Sequence, residues 1–324
     1  VVPAAPPLPE PSRPFPAAHF IPLPGRFPED VVVGHDGMLY CGVDGGSIVQ
    51  IDPDGHTTRI VADTGGRPLG LEPAPDGLIV CDAYRGLLSV DVATGAVTTL
   101  VSEIDGVPLN FCSNAALAPD GAIWFTESST RFGFDHYLGA FLEHRPSGRL
   151  LRHDVDGTTS VILTDLDFPN GLALTPSRDA LILVETAGYR LSRVNLSDAR
   201  RTILAENLPG YPDNLSQFRD WHAWVALTNP RSASLDRSGR LPGWIRRIAW
   251  RLPDRLMPGP DDIVWLRSIT ADGEVIDDIH THRDDYEMAT GAVEYRGFLY
   301  VAGLRRTALL RLDLSALAIT TRRP

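Results

Sequence analysis

The sequence predicts an all-β fold, a six-bladed β-propeller with helical lid insertions in blades three and five. Three observations predict it. Short apolar runs recur along the chain between turns rich in Gly and Pro, of which there are 29 and 27. A theme of strand, Asp-Gly or similar turn, strand, turn, strand appears six times. The first three turn aspartates, Asp36, Asp76 and Asp120, are spaced by 40 and 44 residues, the period of one four-stranded blade.

Taken in order, residues 1–18 hold seven prolines and little apolar periodicity, and read as an extended, poorly ordered arm; residues 19–324 read as one propeller domain. His19–Leu23 can form a strand that completes the last blade beside the C-terminal strands, because a ring of sheets must close without exposed edges. The six copies begin at Glu29, Leu69, Asn114, Asn170, Asp213 and Gly291. Two segments break the strand pattern. Residues 131–146 carry Phe132, Phe134, Tyr137 and Phe141, and residues 241–258 carry Trp244, Ile245, Ile248, Trp250 and Leu252 near helical spacing between Pro242 and Pro253. Their aromatic content suits a lid over the propeller mouth better than surface decoration.

Composition narrows the function. With 43% hydrophobic residues and no apolar run near the roughly 18 residues of a membrane span, no such span is expected. A net charge of −11 argues against nucleic acid or an anionic membrane as partner and leaves a small-molecule substrate. Every basic residue is Arg, so lysine Schiff-base chemistry and a Walker-type phosphate loop are excluded. Cys41, Cys81 and Cys112 lack metal-ligand spacing and read as buried free thiols. The chain starts at Val1, consistent with removal of a targeting segment, so cytoplasm and export stay open; nothing indicates an oligomeric state.

The chemistry centres on Asp167-Phe168-Pro169-Asn170-Gly171-Leu172. Asn-Gly ordinarily marks a turn, since both residues tolerate positive φ. Here, however, Glu29, Asn114, Asn170 and Asp213 each fall at the start of an innermost strand, in blades one, three, four and five. Such residues converge on one end of the central channel. Two carboxylates and two carboxamides offer only oxygen donors, which suits a hard divalent cation, Ca²⁺ first, with Mg²⁺, Mn²⁺ or Zn²⁺ as alternatives.

The runs Arg67-Pro68-Leu69-Gly70-Leu71, Cys81-Asp82-Ala83-Tyr84-Arg85-Gly86, Trp124-Phe125-Thr126-Glu127-Ser128, Phe168-Pro169-Asn170-Gly171 and Leu208-Pro209-Gly210-Tyr211-Pro212-Asp213-Asn214 resemble the strictosidine synthase-like family. That family stands with gluconolactonases and paraoxonases among six-bladed calcium-dependent propellers, and the resemblance covers nearly everything after residue 25. It implies metal ligands at Glu29, Asn114, Asn170 and Asp213, with Asn214 as a fifth. True strictosidine synthases, which condense an amine with an aldehyde without metal, lack the Asn and Asp that this chain keeps at 170 and 213. The resemblance therefore leans toward the hydrolytic side. Asn114 is followed by Ala115 rather than the Asp of paraoxonases, which implies one metal, and Leu69-Gly70 stands where paraoxonases have a catalytic His.

The leading expectation is a metal-dependent hydrolase of lactones or esters, the cation polarising a carbonyl and acidifying water. The resemblance to gluconolactonases implies that Asp213 also takes the proton. Glu287, aligned with the catalytic Glu of strictosidine synthases, and His136 are reserve acid/base residues; a solvated loop acid and a packed lid residue are their alternatives. Two other functions stay open: Pictet-Spengler-type condensation with Glu287 as base, and a non-catalytic ligand-binding propeller.

Overall fold

In the computed structural model, which describes residues 3–239, 241–250 and 261–316, six four-stranded antiparallel sheets follow one another along the chain. The innermost strands are Val31–Val33, Pro68–Ala74, Cys112–Leu117, Pro169–Leu174, Gly210–Leu215 and Ala289–Tyr295. Each of the first five blades builds outward in chain order. The sixth takes its outer strand from the other end of the chain: Ala18–Pro22 pairs with Ala308–Asp313, Phe20 opposite Leu310. The expected closure by the strand around Phe20 is therefore present.

Alternation sends one face of every blade against its neighbour, and each gap has its own apolar core. Tyr40 and Ile48 meet Leu71 and Val80 between blades one and two, while Ala226 and Leu266 meet Ala292 and Val301 between five and six. All three cysteines are free and buried in these cores. The Asp-Gly turns use Gly37 and Gly121 at positive φ; in blades four and five Arg178 and Asp220 take the same left-handed conformation.

The Pro-rich arm lies against blade five instead of standing free. Ser12 N donates to Asp278 O (2.7 Å), His280 Nε2 bonds Pro9 O (2.9 Å) and Arg13 pairs with Asp277 (2.6 Å). Prolines lose little backbone freedom on docking, so a few bonds suffice to hold them.

Both insertions contain helix. Residues 131–146 form a 3-10 turn, Phe134–His136, and α1, Leu138–Glu143. The blade-five insertion starts earlier than the sequence predicts, with α2, Ala233–Ser238, whose N-cap Ser232 accepts from Leu235 N (3.3 Å). It continues as α3, Gly243–Trp250, and the predicted stretch 251–258 lies outside the described residues. The two insertions meet: Arg246 donates to Leu142 O (3.0 Å) and His144 Nε2 bonds Leu235 O (3.1 Å). Among the described residues, no helix is long and apolar enough to cross a membrane.

Candidate functional site

The innermost strands do more than line the channel. Their register slips between Cys112 and Ala115, between Pro169 and Leu172 and between Pro212 and Leu215. Asn114, Asn170, Asp213 and Asn214 sit in these irregularities, where a bulge re-aims side chains. Pro169 and Pro212 help, because neither can donate to the ladder. The entry to three of these strands is fixed by a buried acid at the end of the adjacent strand. Asp82 accepts from Arg67 N (3.0 Å), Glu127 from Asn110 N (2.8 Å) and Glu185 from Asp167 N (2.9 Å).

Gly171 corrects the turn reading of Asn-Gly. Neither Asn170 nor Gly171 has positive φ; both lie within the strand. A Cβ at 171 would fall 2.4 Å from Leu215 N and 2.7 Å from Asp213 O, so glycine is there for the close approach of blades four and five. The left-handed residue is Phe168, at φ 57. Phe27, two residues before Glu29, does the same at φ 58.

The five predicted ligands come together in one buried network. Asn114 Nδ2 donates to Asn214 Oδ1 (2.9 Å), and Asn214 Nδ2 donates to Glu29 Oε1 (3.1 Å). Asn170 Nδ2 donates to Asp213 Oδ1, and Asn170 Oδ1 accepts from Ser113 Oγ (3.0 Å). Thr290 Oγ1, from blade six, bonds Glu29 O at 2.5 Å. Asn214 is thus engaged at both ends of its carboxamide and holds Asn114 and Glu29 in place. Ser113 and Thr290 had no signal in the sequence, since hydroxyls abound in strands and only the closed ring brings them here.

Electrostatics leaves this network unfinished. Burial, then Asp213 and Asp30, push the Glu29 carboxyl well above the usual carboxylate range. Burial and Asp30 push Asp213 up to about 8, against the opposing bond from Asn170. Asp30 has both oxygens on backbone donors, Val31 N (2.8 Å) and Leu71 N (3.0 Å). Glu29 Oε2, by contrast, is buried without a partner. Buried carboxylates with no ion pair at contact distance, opposed only by the Arg67 charge acting on Glu29 and ringed by carboxamides, fit a hard cation: Glu29, Asn114, Asn170 and Asp213 are the residues that could hold one. Among the described residues no group of three or more His, Cys, Asp or Glu is placed to do so, and the fit depends on the asparagines.

Aromatic rings rest on the same end of the channel. Phe141 of α1 lies 4.9 Å from Phe168 and 5.8 Å from Tyr211, the neighbours of Asn170 and Asp213 in sequence. Phe111 stacks edge-on to Phe134 and Phe168. Beside the network lies a cavity of ≈ 270 Å³ lined by Asp30, Asn114, Glu72, Leu172, Leu215 and Gln217 among others. Among the described residues, no hydrogen bond joins the remaining predicted residues, His136 and Glu287, to the network. His136 is exposed, its ring 5.9 Å from that of Trp250. Glu287 is half-buried in the loop entering the innermost strand of blade six.

A six-bladed propeller with a buried oxygen-donor cluster at one end of its channel defines the class. Residues 114–199 match the strictosidine synthase family profile, and residues 16–51 match that of the strictosidine synthase-like N-terminal region. Strictosidine synthase-like protein 4 of Arabidopsis thaliana is 31% identical over 297 residues, covering 89% of this chain and 79% of the relative. The chain belongs to the strictosidine synthase-like family. Its fold is also that of a gluconolactonase from Xanthomonas campestris (19% identity, TM-score 0.66, covering 96% and 99% of the two chains). A calcium-binding regucalcin from Agrobacterium tumefaciens shares it too (15%, TM-score 0.65, 92% and 94%).

Proposed function

We propose that this protein hydrolyses lactones or esters with the help of one divalent cation, Ca²⁺ first. The observation that carries the reading is Glu29 Oε2, a buried carboxylate oxygen without a partner, in a ring whose other members are Asn114, Asn170 and Asp213. A cation held by these four residues supplies Lewis acidity toward a carbonyl and toward water. Asn214 and Ser113 orient the ring, through Glu29 and Asn170. Asp213, steadied by Asn170, is the base that receives a proton from water. Phe134, Phe141 and Phe168 exclude bulk water from this end, so the insertions serve as a lid. The shared fold of a gluconolactonase and a calcium-binding protein supports the same reading.

The test is metal analysis of protein purified without added ions, followed by a panel of lactones and aryl esters. Protein restored with Ca²⁺ is expected to hydrolyse at least one of them about 10²-fold faster than chelated protein. Equal rates, or no hydrolysis by either, would overturn the reading.

A further inference from the structure

Arg67 is the residue just before the innermost strand of blade two, and it is 2% exposed. Its backbone is fixed on both sides, N–H to Asp82 Oδ1 (3.0 Å) and carbonyl to Ala83 N (2.9 Å). Its Nη2 donates to the carbonyl of Phe27 at 2.8 Å. Phe27 is the left-handed residue two positions before Glu29, so one hydrogen bond and two residues of chain connect the guanidinium to the cation-site carboxylate. The ring of Phe134, from the blade-three insertion, lies 5.4 Å from the guanidinium carbon.

The donors of this guanidinium are mostly unused. Nε and Nη1 are buried with no partner, and Arg67 forms no ion pair among the described residues. An arginine has five N–H donors arranged as two forks, one built from Nε and Nη2 and one from Nη1 and Nη2. Nη2 gives one of its two hydrogens to Phe27. Whichever it gives, the other hydrogen still completes a fork with Nε or with Nη1. One two-pronged fork therefore stays free, and the guanidinium cannot shed its charge to relieve the cost of burial.

We propose that Arg67 is a substrate-specificity residue that grips a carboxylate, which makes the preferred substrate an anionic lactone or ester bearing a carboxylate away from the scissile bond. The fork matches a carboxylate in two parallel bonds. The carboxylate group that meets the fork carries one negative charge, which suits a site already crowded by Glu29, Asp30 and Asp213 better than the doubly charged head of a phosphate does. Phe134 covers one face of the guanidinium, and with Nε and Nη1 both buried a ligand reaches the fork only when the blade-three insertion moves aside. The substrate class rests on the hydrolase reading above; the anion site does not.

The experiment has a binding arm and a turnover arm. By calorimetry, with and without Ca²⁺, the wild-type protein is expected to bind glutarate at least tenfold tighter than its neutral isostere glutaramide. Arg67→Gln is expected to lose that preference, and Arg67→Lys to keep part of it. In turnover, the ratio of kcat/KM for the 4-nitrophenyl monoester of glutaric acid over that for 4-nitrophenyl pentanoate is expected to fall at least tenfold in Arg67→Gln. No glutarate preference in the wild type, an undiminished preference in Arg67→Gln, or inorganic phosphate bound in place of glutarate would each overturn the proposal. Should neither ester be hydrolysed while glutarate binding depends on Arg67, the hydrolase reading fails and the anion site is upheld. If Arg67→Gln does not fold, the wild-type comparison and Arg67→Lys decide.

Discussion

Glu29 and Glu72 are both buried acids on the innermost strands or their approach, one in the carboxamide network and one in the lining of the neighbouring cavity. Both are pushed upward in pKa by burial, Glu72 to about 7. Their hydrogen bonds separate them. Glu72 Oε1 accepts from Leu117 N (3.1 Å) and Oε2 from Gln217 Nε2 (2.7 Å), so both oxygens are used. Glu29 uses Oε1 and leaves Oε2 empty-handed. Burial of an acid thus marks neither strut nor site; the unfilled oxygen does.

The largest expected effect breaks this comparison if it fails. Asp213→Asn removes a charge from the Glu29 end and is expected to lose the bound cation and about 10²-fold or more in hydrolysis, read by metal analysis and initial rates. Glu72→Gln, in the lining of the neighbouring cavity, is expected to keep the cation. Next comes packing. Gly171→Ala is expected to cost about 1–3 kcal/mol in urea unfolding, because the new methyl meets the backbone of Asp213 and Leu215 rather than a side chain that can move.

The smallest effect sharpens the contrast through pH. A carboxyl whose folded pKa is raised stabilises the protein while protonated, and that stability is lost as pH rises from its ordinary range through the folded value. Glu72, raised from 4.5 to about 7, should therefore weaken the fold as pH climbs to and past neutrality. Relative to Glu72→Gln, the wild type is expected to lose about 1 kcal/mol between pH 6 and 8, measured by denaturant titration at each pH.

The fold was legible because a propeller repeats. The spacing of Asp36, Asp76 and Asp120 and the strand-turn rhythm give blade count, blade order and the closing strand around Phe20. The meeting of Glu29, Asn114, Asn170, Asp213 and Asn214 in one network was legible for the same reason, since equivalent positions in successive blades must face one axis. What stayed hidden lies across the repeat rather than along it. Ser113 meets Asn170 from 57 residues away and Thr290 meets Glu29 from 261. The buried acids Asp82, Glu127 and Glu185 stand inside quoted motifs, but their role as acceptors at strand entries depends on pairing that no local pattern states. α2 escaped because Ala233–Ser238 is short and lacks apolar periodicity. Arg67 was one member of the run Arg67-Pro68-Leu69-Gly70-Leu71 until the neighbouring blade placed Phe27 beside it.

The closure of blade six also sets a schedule. Ala18–Pro22 can pair with Ala308–Asp313 only after nearly the whole described chain has been synthesised, and the bond from Thr290 to Glu29 waits for the same event. Such distant pairing slows folding. A chain stalled on the ribosome before blade six holds Asn114, Asn170, Asp213 and Asn214 but lacks Thr290, which fixes the Glu29 carbonyl, and lacks the blade that seats blade one. Cation affinity should consequently emerge late and all at once, and a bound ion would report that the circle has closed.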